Sequence, residues 1–254
     1  MTFFNIVVPL YNAEKWISRC LKTIKAQDYE NYRVVIVNDC STDDSMPVIV
    51  KEIEDSNKFS LITTDENGGA LNSTFAGIEH LKPNDEDVVL VLDGDDWFAR
   101  KDVLTILNDV YDNNDCLMTY GSYIEYPVNM RGKFSRKLPE RIIENKLFRK
   151  SQWMTSHLRT FKYKLWRNVK REDVLGSDGK IYKMAGDLPV MFPMLEMAEE
   201  RSFFIEDILY VYNRTNPLNE DKVNHHLQLS IDAEVRRKPV YSRLEKMEQD
   251  NDIM

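Results

Sequence analysis

Val88-Val89-Leu90-Val91-Leu92-Asp93-Gly94-Asp95-Asp96-Trp97 is the stretch whose reading decides the fold of this chain. Five consecutive apolar residues, rich in valine, fit a buried β-strand. The strand runs directly into three carboxylates within four positions. Open α/β sheets bind their ligands beyond the carboxyl ends of the strands. Acids packed there repel one another, so a positive partner belongs among them. A hard divalent cation, Mg²⁺ or Mn²⁺, is the simplest, because it takes carboxylate oxygens together with substrate phosphates. Gly94 permits a tight turn and close approach of a ligand to the backbone. The same residues also read as a solvated acidic turn after a core strand, since Asp and Gly are ordinary turn formers.

Upstream, strand and helix patterns alternate. Phe3 to Leu10 reads as a buried strand whose carboxyl end is marked by Pro9, which cannot donate to a ladder. Trp16, Ile17, Cys20, Leu21 and Ile24 then recur at helical spacing. Tyr32 to Val37 is a second strand, ending in Asn38-Asp39-Cys40-Ser41-Thr42-Asp43. Ser41 or Thr42 is placed to cap a helix beginning near Asp43 and carrying Val48, Ile49 and Ile53. Phe59 to Thr63 is a short third strand. Asn67-Gly68-Gly69-Ala70 opens a helix carrying Leu71, Phe75, Ile78 and Leu81. Two glycines at a helix start suit backbone N–H contacts to a phosphate, and equally a plain loop-to-helix junction. This alternation predicts an α/β fold with a mostly parallel sheet, its working residues gathered at strand ends.

At 254 residues the chain fits one large α/β domain, with or without an appendage. A net charge of −8 gives no footprint for non-specific nucleic-acid binding. No apolar run approaches the ~20 residues of a membrane span. The amino terminus lacks the basic region and cleavage site of a signal peptide. Cys20, Cys40 and Cys116 have no metal-ligand spacing and read as buried thiols in a reducing compartment. A soluble, cytoplasmic protein is the expectation, with peripheral membrane association left open.

Four motifs in order, Val8-Pro9-Leu10-Tyr11-Asn12, Val37 to Asp43, Asn67-Gly68-Gly69 and Leu92-Asp93-Gly94-Asp95-Asp96, make the first hundred residues resemble a family 2 glycosyltransferase of the GT-A fold. The resemblance implies a Rossmann-like sheet flanked by helices. It implies transfer of a sugar from a nucleoside-diphosphate sugar, such as a UDP-sugar, to an acceptor hydroxyl, usually with inversion and with Mn²⁺ or Mg²⁺. Carried over to this sequence, Pro9 and Tyr11 line the nucleobase and Asp39 accepts a hydrogen bond from it. Gly68 approaches the donor, and Asp93, Asp95 and Asp96 contact the ribose and hold the metal: Asp93 is placed with the substrate and Asp95 and Asp96 with the metal, Asp95 being the first choice for direct ligation and the choice against Asp93 or Asp96 left open.

Downstream the pattern weakens. Leu104, Leu107, Val110 and Tyr111 are helically spaced, and Asp115 to Tyr123 reads as a strand in which Gly121 allows a bulge. Asn129 to Arg149 reads as a basic surface excursion. In Ser156 to Lys162, His157 and Arg159 face one way if the segment is extended, with Arg159 suited to a donor phosphate and His157 to metal or acceptor. A structural histidine fits equally. Asp187 precedes an apolar helix; it is either an N-cap or, by the resemblance, the catalytic base, although Gly186-Asp187 matches the usual Glu-Asp only in part. Phe203 to Ile205 and Ile208 to Tyr212 read as a closing strand pair around Glu206-Asp207. The expected division is a GT-A domain over 1–215, its nucleotide-sugar half 1–100 and acceptor half 101–215, then a helical extension over 216–254. That extension carries Leu227, Leu229, Ile231, a basic run Arg236 to Lys238 and frayed residues from Glu245; His225 or His226 in it is a further metal-ligand option, His225 preferred.

The expected acceptor is a glycan hydroxyl. A modified DNA base stays open through the basic stretches Arg131 to Arg149 and Arg236 to Lys238. Nucleotidyl transfer fits less well, because Pro9-Leu10-Tyr11-Asn12 stands where a Gly-rich basic loop belongs. A non-catalytic sugar-nucleotide or glycan-binding module is the alternative from another class.

Overall fold

The computed structural model describes residues 1–245. Strands and helices alternate through the first part: β1 (Phe4–Leu10), α1 (Ile17–Lys25), β2 (Tyr32–Asn38), α2 (Ser45–Ile53), β3 (Phe59–Thr63), α3 (Ala70–Leu81) and β4 (Val88–Val91). The second part runs β5 (Trp97–Phe98), α4 (Val103–Asn113), β6 (Met118–Tyr126), β7 (Met130–Arg131), α5 (Glu140–Glu144), β8 (Thr160–Lys162), α6 (Tyr163–Trp166), α7 (Leu188–Ala198), β9 (Ser202–Asn213), α8 (Glu220–Val223) and α9 (His225–Arg236). One sheet holds them in the order β3-β2-β1-β4-β8-β6-β9-β5, with β7 on β6. The β3-β2-β1-β4 half is wholly parallel. Beyond β4 the sheet is mixed: β8 runs antiparallel to both neighbours, and β9 parallel to β6.

The period-two pattern of the strands feeds two cores. Val7, Val35, Val37 and Val89 pack on one face with α3 and α7. Ile6, Val8, Ile36 and Leu90 pack on the other, with Ile17, Leu21, Ile24, Leu104 and Leu107 from α1 and α4. Buried on both faces, parallel strands become continuous apolar runs, which is why they were readable. Gly77 brings α3 against the sheet; a Cβ there would lie 2.6 Å from Val7 Cγ1.

Three expectations change. The closing strand pair is one strand, β9, which pairs with β6 so that Gly121 of β6 lies opposite Ile205 but Ser122 opposite Ile208. Glu206 and Asp207 therefore fill a bulge and point to solvent, where Asp207 meets Arg100 at 3.1 Å. Neither Ser41 nor Thr42 caps α2: it starts at Ser45, after Asp44, and Asp43 accepts from the Ser45 N–H (3.1 Å). The basic excursion is only partly a surface. Arg149 is 5% exposed and forms a two-pronged pair with the fully buried Glu196, at 2.6 and 2.9 Å.

The carboxy-terminal segment packs rather than trails. Its helix breaks at Asn224, whose side chain accepts from Leu227 N–H and starts α9. Ile231 and Val235, four apart on one face, enter the core beside α7, while Leu227 and Leu229 stay exposed. Arg236 donates to the carbonyls of Arg149 and Ser151, and Lys238 to those of Glu172, Asp173 and Leu175. Arg149, Arg236 and Lys238, part of the basic charge of these two stretches, are thus used internally. The fraying expected toward Met254 lies mainly outside the described residues.

Glu196 also accepts from the Tyr241 N–H (3.0 Å), and Arg149 donates to the Val235 carbonyl (2.8 Å). Glu196→Ala strands a buried guanidinium. It should lower the unfolding free energy by about 3–5 kcal/mol. Urea titration measures this, and Glu196→Ala combined with Arg149→Met should recover part of the loss; no loss in the single variant would refute the role of the pair.

Candidate active site

The parallel strands end at one edge, and the site is built there. Gly94 N–H donates to the Pro9 carbonyl (2.9 Å), and a Cβ on Gly94 would meet Leu10 Cβ at 2.6 Å. The end of β1 and the acidic turn after β4 are therefore in direct contact, and glycine is required between them. Tyr11, 40% exposed, and Pro9 line the cleft beside this turn.

Asp39 follows β2 and is buried. Its Oδ1 accepts from Gly68 N–H (3.0 Å) and Thr64 Oγ1 (2.9 Å), and its Oδ2 from Gly69 N–H (2.8 Å). The two glycine N–H groups that suited a phosphate are used on Asp39 instead. Gly69 has φ +85°, and a Cβ there would stand 2.7 Å from the Lys183 carbonyl, so this loop needs glycine.

The three acids after β4 separate by partner. Asp96 is 1% exposed; its Oδ2 accepts from Tyr210 OH (2.6 Å) and its Oδ1 from Asn213 N–H (2.7 Å). Burial, then the charges of Asp95 and Asp93, raise its carboxyl well above the usual range. With both oxygens engaged in the protein, Asp96 is a brace between the acidic turn and the end of β9. Asp95 accepts from Asn216 Nδ2 (2.7 Å) and is pushed up to about 6 by burial and the nearby Asp93 charge. Asp93 is also raised by burial, against the opposing charge of Arg159, and accepts a longer bond from Tyr210 OH (3.3 Å).

Arg159 precedes β8 and donates from Nη1 to Asp187 Oδ2 at 2.7 Å. Asp187 sits at the start of α7, yet its side chain makes no capping bond. Its carboxylate is turned into the cleft and held by Arg159. His157 does line the same cleft. Its ring stacks on Tyr210 (centroids 4.4 Å apart, planes 10° apart) and meets Tyr123 edge-on at 5.6 Å. Burial, then the Arg159 charge, hold its pKa well below the ordinary value, and its Nδ1 is buried with no hydrogen-bond partner.

Pro9, Tyr11, Asp39, the three acids, His157, Arg159 and Asp187 line one cleft of about 1220 Å³, above the ~300–1,000 Å³ usual for a small-molecule pocket; Gly68 and Tyr210 stand behind its wall. His225, at the start of α9, reaches its rim and is exposed. Among the described residues no group of three or more His, Cys, Asp or Glu side chains is arranged to hold a metal ion. Asp95 and Asp93 both line the cleft and are the carboxylates that could hold a cation there; burial is the main cause of their raised affinity for protons. Such a site would need the oxygens of a bound phosphate to complete it. Sequence reading missed Tyr210, Asn213 and Asn216, the partners of the acids. Their separation from the acidic turn by more than a hundred residues left no local signal.

The model of the family described as "Glycosyl transferase family 2" matches residues 5–170, well over half of the chain. The chain belongs to that family. Among curated proteins, this family 2 chain is 33% identical over 106 residues to glycosyltransferase GlyA of Streptococcus pneumoniae, covering 42% of this chain and 15% of GlyA. It is 29% identical over 146 residues to the poly(ribitol-phosphate) β-N-acetylglucosaminyltransferase TarS of Staphylococcus aureus, covering 55% and 23%. The chain thus spans less than half the length of these relatives. A crystal structure of S. aureus TarS 1-349 in complex with UDP-GlcNAc aligns with TM-score 0.63 at 20% identity, covering 85% of this chain and 59% of that one. A mannosyltransferase from Pyrobaculum calidifontis in complex with GDP-Man and Mn²⁺ aligns with TM-score 0.57 at 17% identity, covering 94% and 65%. These neighbours establish the GT-A fold.

The separation of the acids is open to test. Asp96→Ala leaves the Asn213 N–H without a partner and the Tyr210 hydroxyl with only its longer bond to Asp93, and should lower stability by about 1–3 kcal/mol. Asp95→Ala should leave it nearly unchanged. Equal thermal midpoints for Asp96→Ala and the parent protein would contradict the bracing role.

Proposed function

We propose that this chain transfers a sugar from a nucleoside-diphosphate sugar, most simply a UDP-sugar, to an acceptor hydroxyl of a glycan, with inversion. The observation that carries the reading is the Arg159–Asp187 pair, which turns a carboxylate into the cleft that Asp93 and Asp95 also line. Family membership and the UDP-GlcNAc complex of TarS support the donor class.

Pro9, Tyr11 and Asp39 receive the nucleobase, Asp39 through the acceptor capacity its oxygens retain beyond the bonds to Gly68, Gly69 and Thr64. Asp93 faces the ribose. The acceptor oxygen attacks the anomeric carbon, the bond from that carbon to the diphosphate oxygen breaks, and Asp187 takes the hydroxyl proton. Attack opposite the departing group inverts the centre. Arg159 fixes the Asp187 carboxylate and places positive charge beside Asp93. When bound, a divalent cation held by Asp95 and Asp93 would neutralise charge on the leaving diphosphate. His225 is a rim residue in this reading. The stacked, proton-poor ring of His157 orients Tyr210 and faces the substrate rather than acting as an acid.

A DNA acceptor loses the support of Arg149, Arg236 and Lys238, which are bonded within the protein. Calorimetry with a panel of nucleoside diphosphates and nucleotide sugars, with and without Mn²⁺, tests the donor site. We expect one nucleotide sugar to bind in a Mn²⁺-dependent manner, and Asp95→Ala or a chelator to abolish it. If a folded protein binds no nucleotide, the non-catalytic glycan-binding module takes its place. Asp187→Asn should keep donor affinity and lower kcat by about 10²–10⁴-fold. An undiminished rate in that variant would remove Asp187 from the chemistry.

A further inference from the structure

Val128 to Lys137 contains Arg131, Lys133, Arg136 and Lys137 and no carboxylate, in a chain of net charge −8. The segment is the β6–β7 hairpin and its continuation. Ile124 pairs with Arg131 and Glu125 with Met130, so the tip at Val128 projects from the sheet. Its apolar side chains are unusually bare: Val128 is 61% exposed, Met130 66% and Phe134 36%. All four cations are exposed. Arg131 is tied to Ser122 Oγ and the Glu206 carbonyl. Lys133, Arg136 and Lys137 make no ion pair among the described residues, and Lys133 lies over the Phe134 ring at 5.0 Å. Glu125, opposite Met130, and Glu206, beside Arg131, are the neighbouring acids.

Met130, Arg131, Lys133 and Phe134 also form one lip of the large cleft, and the exposed Leu218, Val223 and Leu229 stand on its α8–α9 side. Large apolar side chains are normally not left together in water, so such a patch marks a contact surface. The choice of partner follows from pairing apolar groups with unopposed cations. A soluble polyanion would satisfy the cations and leave Val128, Met130 and Phe134 wet. A second copy meeting the same patch would bring like charges together. An anionic lipid surface takes both, apolar groups at the acyl boundary and cations among the phosphates.

We propose that the 128–137 hairpin docks this protein on an anionic membrane surface, with the cleft mouth facing the lipid. The binding requires neither donor nor catalysis, so it stands or falls separately from the sugar-transfer reading. For an enzyme with that activity, the consequence is an acceptor delivered from the membrane side of the cleft.

Co-sedimentation of the full chain with vesicles tests this, with mixed phosphatidylglycerol and phosphatidylcholine compared against phosphatidylcholine alone. Binding should require the anionic lipid and weaken with added salt. Lys133→Glu with Lys137→Glu should reduce the partition coefficient about tenfold or more, and Met130→Ser with Phe134→Ser about tenfold. All four positions are exposed, and thermal unfolding checks that each variant folds. The proposal fails if the chain ignores the anionic vesicles or if both variants bind them as well as the parent. It fails equally if the serine variant binds undiminished and polyphosphate competes, which would identify a soluble polyanion. Concentration-dependent dimerisation lost in the serine variant would assign the patch to a second copy instead.

Discussion

Too much negative charge at the end of one strand is the constraint on which the rest depends. Asp93, Asp95 and Asp96 follow β4 into a buried turn: burial, then the charge of Asp93, raises the proton affinity of Asp95, and burial, then the charges of Asp95 and Asp93, raises that of Asp96. A buried carboxylate without partners is costly, so each must be satisfied separately. The fold draws those partners from the far end of the sheet. Tyr210 and Asn213 of β9 hold Asp96, Asn216 beyond β9 holds Asp95, and Arg159 lies near Asp93. Meeting the needs of one turn thereby brings the second half of the chain over the first, and the cleft is the space left between them.

The two halves consequently do different work. The parallel half fixes Pro9, Asp39 and Asp93 at the ends of neighbouring strands, where backbone register sets their spacing. The mixed half supplies charged and aromatic groups whose positions depend on one another: Arg159 on Asp187, His157 on Tyr210. Asp187 illustrates the point. An aspartate at a helix start ordinarily bonds to the backbone N–H groups of the first turn, yet here the side chain is directed to a guanidinium instead. A carboxylate withdrawn from capping and presented to a cleft is available for chemistry.

Legibility from sequence follows the same division. Every element of the parallel half was readable, because strands buried on both faces and helices with one buried face leave periodic apolar signals. The helix of Ile17, Cys20, Leu21 and Ile24 buries those four residues. Asp187 and Arg159 were named, but their contact was not, since nothing local couples positions 28 apart. Asp96 looked equivalent to Asp95 in sequence; only the arrival of Tyr210 and Asn213, which bond its two oxygens, sets the two apart. Glu206-Asp207 looked like a turn because two adjacent exposed acids in a bulge and in a hairpin have the same composition.

The basic residues carry the same lesson in reverse. Arg149, Arg236 and Lys238 read as surface charge, yet carbonyls and Glu196 occupy them, because a segment that closes a domain must satisfy the backbone groups it covers. Lys133, Arg136 and Lys137 carry the same charge in sequence and have no such task. Composition cannot separate cations that hold the protein together from cations left for a partner. Burial and partner geometry do, and they leave Lys133, Arg136 and Lys137 without an ion pair among the described residues, on the segment that borders the cleft. Whatever enters by that side meets exposed methionine and phenylalanine together with lysine before it reaches Asp187.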